Sequence, residues 1–153
     1  MAGPAYPFTA FNFAVEIYPG EASAPLVSAA FAECDGLEMT HEVKTIREGG
    51  ANDRQIRLNG VVSYGQLTLK RGMTETYDLW TWFQSTIADP RLRASAEVVL
   101  LAADGVTERA RFQLSRCVPV KLKAPLLNAK DGQIAVEELQ VAYETLQFTA
   151  PQG

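Results

Sequence analysis

Few residues of this 153-residue chain have the types and spacing that catalysis requires. Its only histidine is His41, so a Ser-His-Asp or Cys-His arrangement would depend entirely on that residue. Glu137 and Glu138 are adjacent, and in a strand they would point to opposite faces, so they make no acid/base pair. We therefore expect His41 to be a surface or interface residue, both carboxylates to face solvent, and the chain not to be an enzyme.

The cysteines and the one glycine pair carry no metal or cofactor signature. Cys34 and Cys117 lie far apart, without a neighbouring cysteine or histidine at metal-ligand spacing, and are expected to be buried thiols in strands. Gly49-Gly50 fits neither the Walker pattern nor the dinucleotide fingerprint. We expect no metal, no cofactor and no nucleotide site.

Composition narrows the class of protein further. Hydrophobic residues make up 47% of the chain and charged residues 21%, which is typical of a folded protein. The formal net charge is -4, so the chain lacks the excess of basic residues that nucleic-acid binding requires. No apolar run is long enough to span a bilayer. We expect no specific nucleic-acid binding, no membrane insertion and assembly in the cytoplasm, since no secretory signal is evident at the start.

The length suits a single domain, residues 1–153, with short flexible ends at about 1–8 and 150–153. Alternating apolar and polar residues predict several strands. These predicted strands span 11–17, 28–34, 39–45, 67–69, 96–101 and 106–115. Prolines at 119 and 125 predict an extended path afterwards, because proline supplies no N–H to a strand ladder.

One helix is predicted, at about 74–87, where Thr74 or Thr76 could cap the first turn. Its predicted buried face consists of Leu79, Trp82, Phe83 and Ile87. Tyr77 and Trp80 lie on a neighbouring face, as core residues or as contacts to another subunit. The last segment, 134–148, fits a helix or a strand with β-bulges at its glutamates, and periodicity alone leaves both open.

From the end of the third predicted strand toward the fourth, residues 44–59 are polar and rich in turn-forming residues. The segment is too poor in large apolar groups to form a core of its own. Irregular loops of this length are uncommon in compact domains and are usually functional or disordered. An extended functional loop and a floppy surface loop are both compatible with this composition.

Several short signatures in this region and around it follow one another in a fixed order. They are Gly36-Leu37-Glu38, Arg47-Glu48-Gly49-Gly50, Leu58-Asn59-Gly60, Leu67-Thr68-Leu69-Lys70-Arg71-Gly72 and Leu79-Trp80-Thr81-Trp82. Further motifs lie nearer the two ends of the chain, at Phe11-Asn12-Phe13, Val15-Glu16-Ile17 and Ala135-Val136-Glu137-Glu138-Leu139. Over about residues 8–148 the chain resembles the tail-tube (inner tube) proteins of contractile phages and phage-derived contractile injection systems.

The resemblance implies a mainly β fold, a small β-sandwich or partly closed barrel with one flanking helix and an extended loop at about 44–59. It implies a strand at 134–148. Six copies would form a ring with a shared inner β-barrel, and rings would stack into a rigid hollow tube. The implied partners are other copies of the chain, a sheath protein, baseplate and spike proteins, and DNA or effector proteins passing through the lumen. The tube would be driven through a target envelope. The resemblance implies no cofactor.

The resemblance also places a subunit interface on the polar segment. Its implied contact residues are Lys44, Arg47, Glu48, Gly49, Gly50, Asn52, Asp53, Arg54, Arg57, Asn59 and Gly60. The arginines among them can pair with carboxylates of a net-acidic neighbour.

Three alternatives are open. The first is a specialised first-ring paralogue that joins tube to baseplate, which shares the same motifs. It is open because the chain departs from the family pattern at Asn59, where Leu-Pro-Gly is more usual. The related ring protein of type VI secretion systems is a second structural alternative. A third, of another class, is a closed monomeric β-barrel that binds a small molecule.

Overall fold

The computed structural model describes residues 7–8, 12–47, 55–130 and 132–151. Within them the chain forms ten strands and one helix. The strands are β1 Phe13–Pro19, β2 Val27–Ala29, β3 Glu33–Asp35, β4 Met39–Arg47, β5 Gln55–Tyr64, β6 Gln66–Gly72, β7 Ala94–Leu101, β8 Glu108–Lys123, β9 Val136–Ala142 and β10 Thr145–Thr149, and the helix is α1 Asp78–Ala88. The fold is therefore mainly β with one short helix, as predicted.

Strand β8 joins two antiparallel sheets. Its first half pairs with β7 on one side and β10 on the other, and with β1 and β2 these form the first sheet. Its second half pairs with β9, and with β6 and β3 these form the second sheet. The change of sheet coincides with Arg116, which has a φ of 52°. The sheets do not close into a barrel, so the sandwich alternative fits and the closed monomeric barrel does not.

The core lies between the two sheets and under the helix. Val15 and Ile17 of β1 and Leu114 of β8 come from the first sheet, and the second contributes aliphatic residues of β6 and β9. Leu79 and Trp82 of α1 are completely buried against them. Because each strand alternates buried and exposed residues, the core uses one face of each sheet.

The segment predicted as one strand over 28–34 is two strands in different sheets. β2 pairs with β1, whereas β3 pairs with β6. The chain crosses between the sheets at Phe31, which is buried, and the N–H of Ala32 donates to the carbonyl of Lys70 at 2.7 Å. Local alternation carries no information about this change of partner.

The extended path predicted around Pro119 is part of a paired strand, because β8 continues to Lys123. The proline is accommodated by a register shift between Pro119 and Lys121 and by its place on an edge strand. The final segment is strand, as the resemblance implied, and it breaks at Glu144 between β9 and β10.

The helix begins four residues later than predicted, at Asp78, and neither predicted threonine caps it. The Thr74 hydroxyl instead accepts the N–H of Thr76 at 3.3 Å, which favours a turn before the helix. Ile87, predicted to be buried, is exposed at the last turn, and so is Tyr77 before the first. No helix among the described residues is long and apolar enough to cross a bilayer.

Gly36, in the first of the tail-tube signatures, lies where no side chain fits. Its φ is +101°, and an added Cβ would lie 1.8 Å from the carbonyl oxygen of Gln66. Its own carbonyl accepts the hydroxyl of Tyr143 at 2.6 Å, which ties the turn after β3 to the end of β9. The glycine permits the chain to leave the second sheet here and enter β4.

Gly36→Ala is expected to lower the free energy of unfolding by about 2–3 kcal/mol, because backbone strain and overlap act together. Gly20→Ala is the matched control, since Gly20 has a φ of +60° but nothing within 4 Å of an added Cβ. It should cost only about 1 kcal/mol. Chemical denaturation measures both, and equal losses would show that the Gln66 contact contributes nothing.

Candidate subunit interface

The most exposed element is the β4–β5 hairpin, which stands apart from both sheets. Within the part of the chain that the structure describes, its strands pair only with each other, from Met39 opposite Tyr64 at the base to Arg47 opposite Gln55. They hardly touch any other element. A two-stranded hairpin is marginally stable alone, so this one is expected to be stabilised by a partner.

The hairpin covers the segment predicted as an extended loop over 44–59. For its described residues the prediction of irregular structure is wrong, because β4 continues to Arg47 and β5 begins at Gln55. The predicted contact residues Glu48, Gly49, Gly50, Asn52, Asp53 and Arg54 lie outside the described residues. The other five fall on the hairpin, with Lys44 and Arg47 in β4 and Arg57, Asn59 and Gly60 in β5.

Gly60 marks a β-bulge in the hairpin. The register shifts between His41 and Val43, so that two residues of β5 lie opposite Glu42. A Cβ on Gly60 would lie 2.6 Å from the Glu42 carbonyl oxygen, so the close approach of the strands requires glycine. The bulge also breaks the period-two pattern of β5, which is why alternation did not reveal this strand.

Aliphatic side chains are exposed on both faces of the hairpin. Ile46 lies opposite Ile56, and Leu58 lies opposite Lys44, which places these residues on one face. All three aliphatic side chains are exposed. Met39, Val43 and Val62 are exposed on the other face. A contiguous exposed apolar surface of this kind usually marks a site where another protein binds.

The outer face of the first sheet is polar over its full width. Glu16, Glu97, Gln113 and Gln147 follow one another across β1, β7, β8 and β10. Several of its charges are paired within the chain. Arg111 donates to Glu97 and also to Glu108 at 2.7 Å, and the Tyr18 hydroxyl donates to Glu16, which raises the pKa of Tyr18 to about 12.

A buried ionic cluster holds the helix on the second sheet. Arg71 Nε donates to Glu137 Oε1 at 2.7 Å, and the guanidinium also pairs with Asp78 at the start of α1. Trp80 Nε1 donates to the other oxygen of Glu137 at 2.9 Å, and the guanidinium lies 5.3 Å from the ring centre of Phe31. Burial alone would lower the pKa of Arg71, but its hydrogen bonds and charge partners together raise it.

The sequence interpretation missed this cluster. Glu137 was expected to face solvent and is 1% exposed, and Arg71 is buried beside it although its charge is typical of a solvated residue. A signal was present, because Arg71 continues the period-two buried face of Leu67 and Leu69. Glu137 similarly shares the buried face of β9 with Leu139.

The residues that could have supported catalysis are dispersed. His41 is exposed on the hairpin, as expected. Cys34 is half-buried in β3 and Cys117 is buried in β8, and burial raises the pKa of each thiol to about 12, so both are poor nucleophiles at neutral pH. Among the described residues, no group of three or more histidine, cysteine or acidic side chains could hold a metal ion.

Several solved structures are similar to this fold. A chain of the anti-feeding prophage baseplate is 26% identical, with a TM-score of 0.79 over 98% of both chains. A chain of the sheath-tube complex of PVC, an extracellular contractile injection system, is 21% identical, with a TM-score of 0.77 over 95% of this chain and 93% of that one. Hcp1 from Flavobacterium johnsoniae shares the fold more distantly, at 12% identity and a TM-score of 0.54 over 92% and 97%.

The fold is thus that of the tube proteins of contractile injection machines. The family model for the T4-like virus tail tube protein gp19 matches residues 9–147, so the chain belongs to that family. A comparison with curated protein sequences finds no match. The chain is a tube protein of a phage tail or of a phage-derived contractile injection system, which confirms the resemblance in its motifs.

Proposed function

We propose that this chain is a structural subunit, without catalytic activity, whose copies close into hexameric rings that stack into a rigid hollow tube. The observation that carries the proposal is the β4–β5 hairpin, which exposes aliphatic side chains on both faces beside an otherwise complete sandwich. A monomer gains nothing from this arrangement, whereas an assembly buries it. The number six follows from the tail-tube resemblance.

Ring closure fits the edges of the first sheet. Its outermost strands are the short β2 and β10, and their outer edges have no partner strand among the described residues. Unpaired edges template association, and joining the first sheets of neighbouring copies would pair these edges and form a continuous inner barrel. The polar outer face of that sheet would then line the lumen. Its internally paired charges give an inner wall that is neither basic nor sticky to phosphate.

The hairpin would supply the contacts between copies. Lys44 and Arg57 are exposed on it and could pair with carboxylates of a neighbour. The same role is proposed for Arg47 and for the predicted contact residues within 48–54, which lie outside the described residues. Asn59 and Gly60 would set the bend of β5 through the bulge. We propose for these residues the interface role that the family resemblance implied.

The wider partners follow from the relatives. The similar chain of PVC lies in a sheath-tube complex, and the similar chain of the anti-feeding prophage lies in a baseplate. We therefore propose that a sheath surrounds this tube and that a baseplate with its spike holds its lower end. Sheath contraction would drive the tube through a target envelope, and DNA or effector proteins would pass along the lumen. Assembly would take place in the cytoplasm.

A second candidate function is the first ring, which joins the tube to the baseplate. The 26% identity to a chain of the anti-feeding prophage baseplate favours it. A tube-forming subunit should stack into long tubes by itself. A joining ring should stop at one or two layers unless baseplate proteins are added.

Native mass spectrometry of the purified chain tests ring formation. Six chains of 16.7 kDa each give a species of about 100 kDa. A dominant species of that mass supports the proposal. A monomer at every concentration up to the solubility limit would overturn it.

A further inference from the structure

A second exposed apolar surface lies at the connection between β8 and β9. Leu126, Leu127 and Ile134 are 87%, 86% and 82% exposed there, and they border a groove of about 640 Å³ whose rim includes Lys123 and Glu138. We call it the β8–β9 groove. An exposed aliphatic side chain forgoes the stabilisation that its burial would give, and clustered exposure of this kind marks an interaction site.

The groove and the hairpin lie at opposite ends of the second sheet. The hairpin leaves that sheet beside Gln66, which pairs with Ala142, whereas the groove lies beside Lys70, which pairs with Glu138. Four residues of strand separate the two ends, about 13 Å. The base of the hairpin and the chain's own groove therefore lie at opposite ends of the same strand pair.

The two surfaces are complementary in chemistry. One hairpin face carries exposed aliphatic residues, among them Ile46, Ile56 and Leu58, beside the charges of Glu42 and Lys44. The groove carries four exposed aliphatic residues, since Val136 joins Leu126, Leu127 and Ile134. It lies beside a row in which Glu33, Lys70, Glu138 and Lys123 alternate in charge across four strands. Each surface can therefore bury its aliphatic groups and pair both signs of charge with the other.

We propose that the β8–β9 groove receives the β4–β5 hairpin of a second copy of this chain in the adjacent ring. Contacts between two different patches are heterologous, and when they lie at opposite ends of a subunit they repeat without closing. The same contact then adds ring after ring along the strand direction. This inference rests on the proposed function and adds the seat of the hairpin.

Cross-linking between introduced cysteines tests the contact. The double variant Ile56→Cys with Leu127→Cys, treated with a short bismaleimide, should give a ladder of two, three and more chain masses on a denaturing gel. The reagent is preferred to oxidation because a disulfide requires Cα atoms within about 4.4–6.8 Å. A mixture of the two single variants should give dimers without the ladder. A second pair, Ile46→Cys with Ile134→Cys, covers a failure of the first to fold.

Two controls define the outcomes. The unsubstituted chain, which retains Cys34 and Cys117, shows any background from native thiols, and Val106→Cys with Leu127→Cys places a cysteine on the exposed turn before β8. Neither should give a ladder. Tubes that form normally from both hairpin-groove variants without a ladder would overturn this contact alone. Failure of the unsubstituted chain to form rings would overturn the proposed function and this inference together.

Discussion

Glu137→Ala is expected to lower the free energy of unfolding by about 3–5 kcal/mol, the loss typical when one partner of a buried ion pair is removed. The variant leaves Arg71 buried with Asp78 alone and removes the acceptor of Trp80 Nε1. The helix should loosen from the second sheet, since this cluster joins its first turn to β6 and β9. Chemical denaturation of the unassembled chain measures the loss.

Lys70, which precedes Arg71 in β6, provides a matched control for Glu137→Ala. Lys70 pairs with Glu33 at 3.3 Å, but both side chains are well exposed, so Lys70→Ala should cost no more than about 1 kcal/mol. The double variant Arg71→Met with Glu137→Leu should lose less than Glu137→Ala, because no unpaired charge is left buried. A loss below about 1 kcal/mol for Glu137→Ala would show that the cluster does not hold the helix.

Leu58→Asp is expected to abolish stacked tubes and leave the fold intact. Leu58 is exposed on the hairpin, and an aspartate there lies opposite Lys44, so the cross-strand pair within the hairpin stays favourable. At an interface the same change removes about 1.5–3 kcal/mol of apolar burial and buries a charge, and every subunit repeats the loss. Sedimentation velocity measures assembly, and circular dichroism measures the fold.

Val106→Asp is the control for Leu58→Asp. Val106 is also an exposed aliphatic residue, but it lies in the turn between β7 and β8, away from the hairpin. The change should leave both assembly and unfolding within about 0.5 kcal/mol of the parent. Equal loss of tubes in the two variants would indicate a general effect of added charge. Normal tubes from Leu58→Asp would remove the hairpin from the interface.

Features that depend on one strand at a time could be predicted from the sequence. The alternation of Val15 and Ile17 in β1 placed a buried face correctly, and the spacing of Leu79 and Trp82 placed the buried side of the helix. Neither required knowledge of a partner strand.

Features that depend on partners could not be predicted. The division of 28–34 between two sheets follows from which strand each half pairs with. The strand β5 was hidden because the bulge at Gly60 shifts its pattern by one residue. Glu137 was misjudged because residue type was given more weight than period, although Glu137 and Arg71 each lie in step with buried leucines.

The contact role of the predicted interface residues is still a prediction. Five of them lie on the exposed hairpin. The others, within residues 48–54, lie outside the described residues. The β8–β9 groove had no signal in the sequence, because exposed leucines in a connection cannot be told from buried ones until the strands are placed.

Electron microscopy of the purified chain tests the central claim most directly, because it shows whether this sandwich with its exposed hairpin forms rings. We predict uniform sixfold rings with an open centre, and stacks of such rings at higher concentration. Particles without sixfold symmetry, or only monomers under every condition in which the chain is folded, would contradict the account.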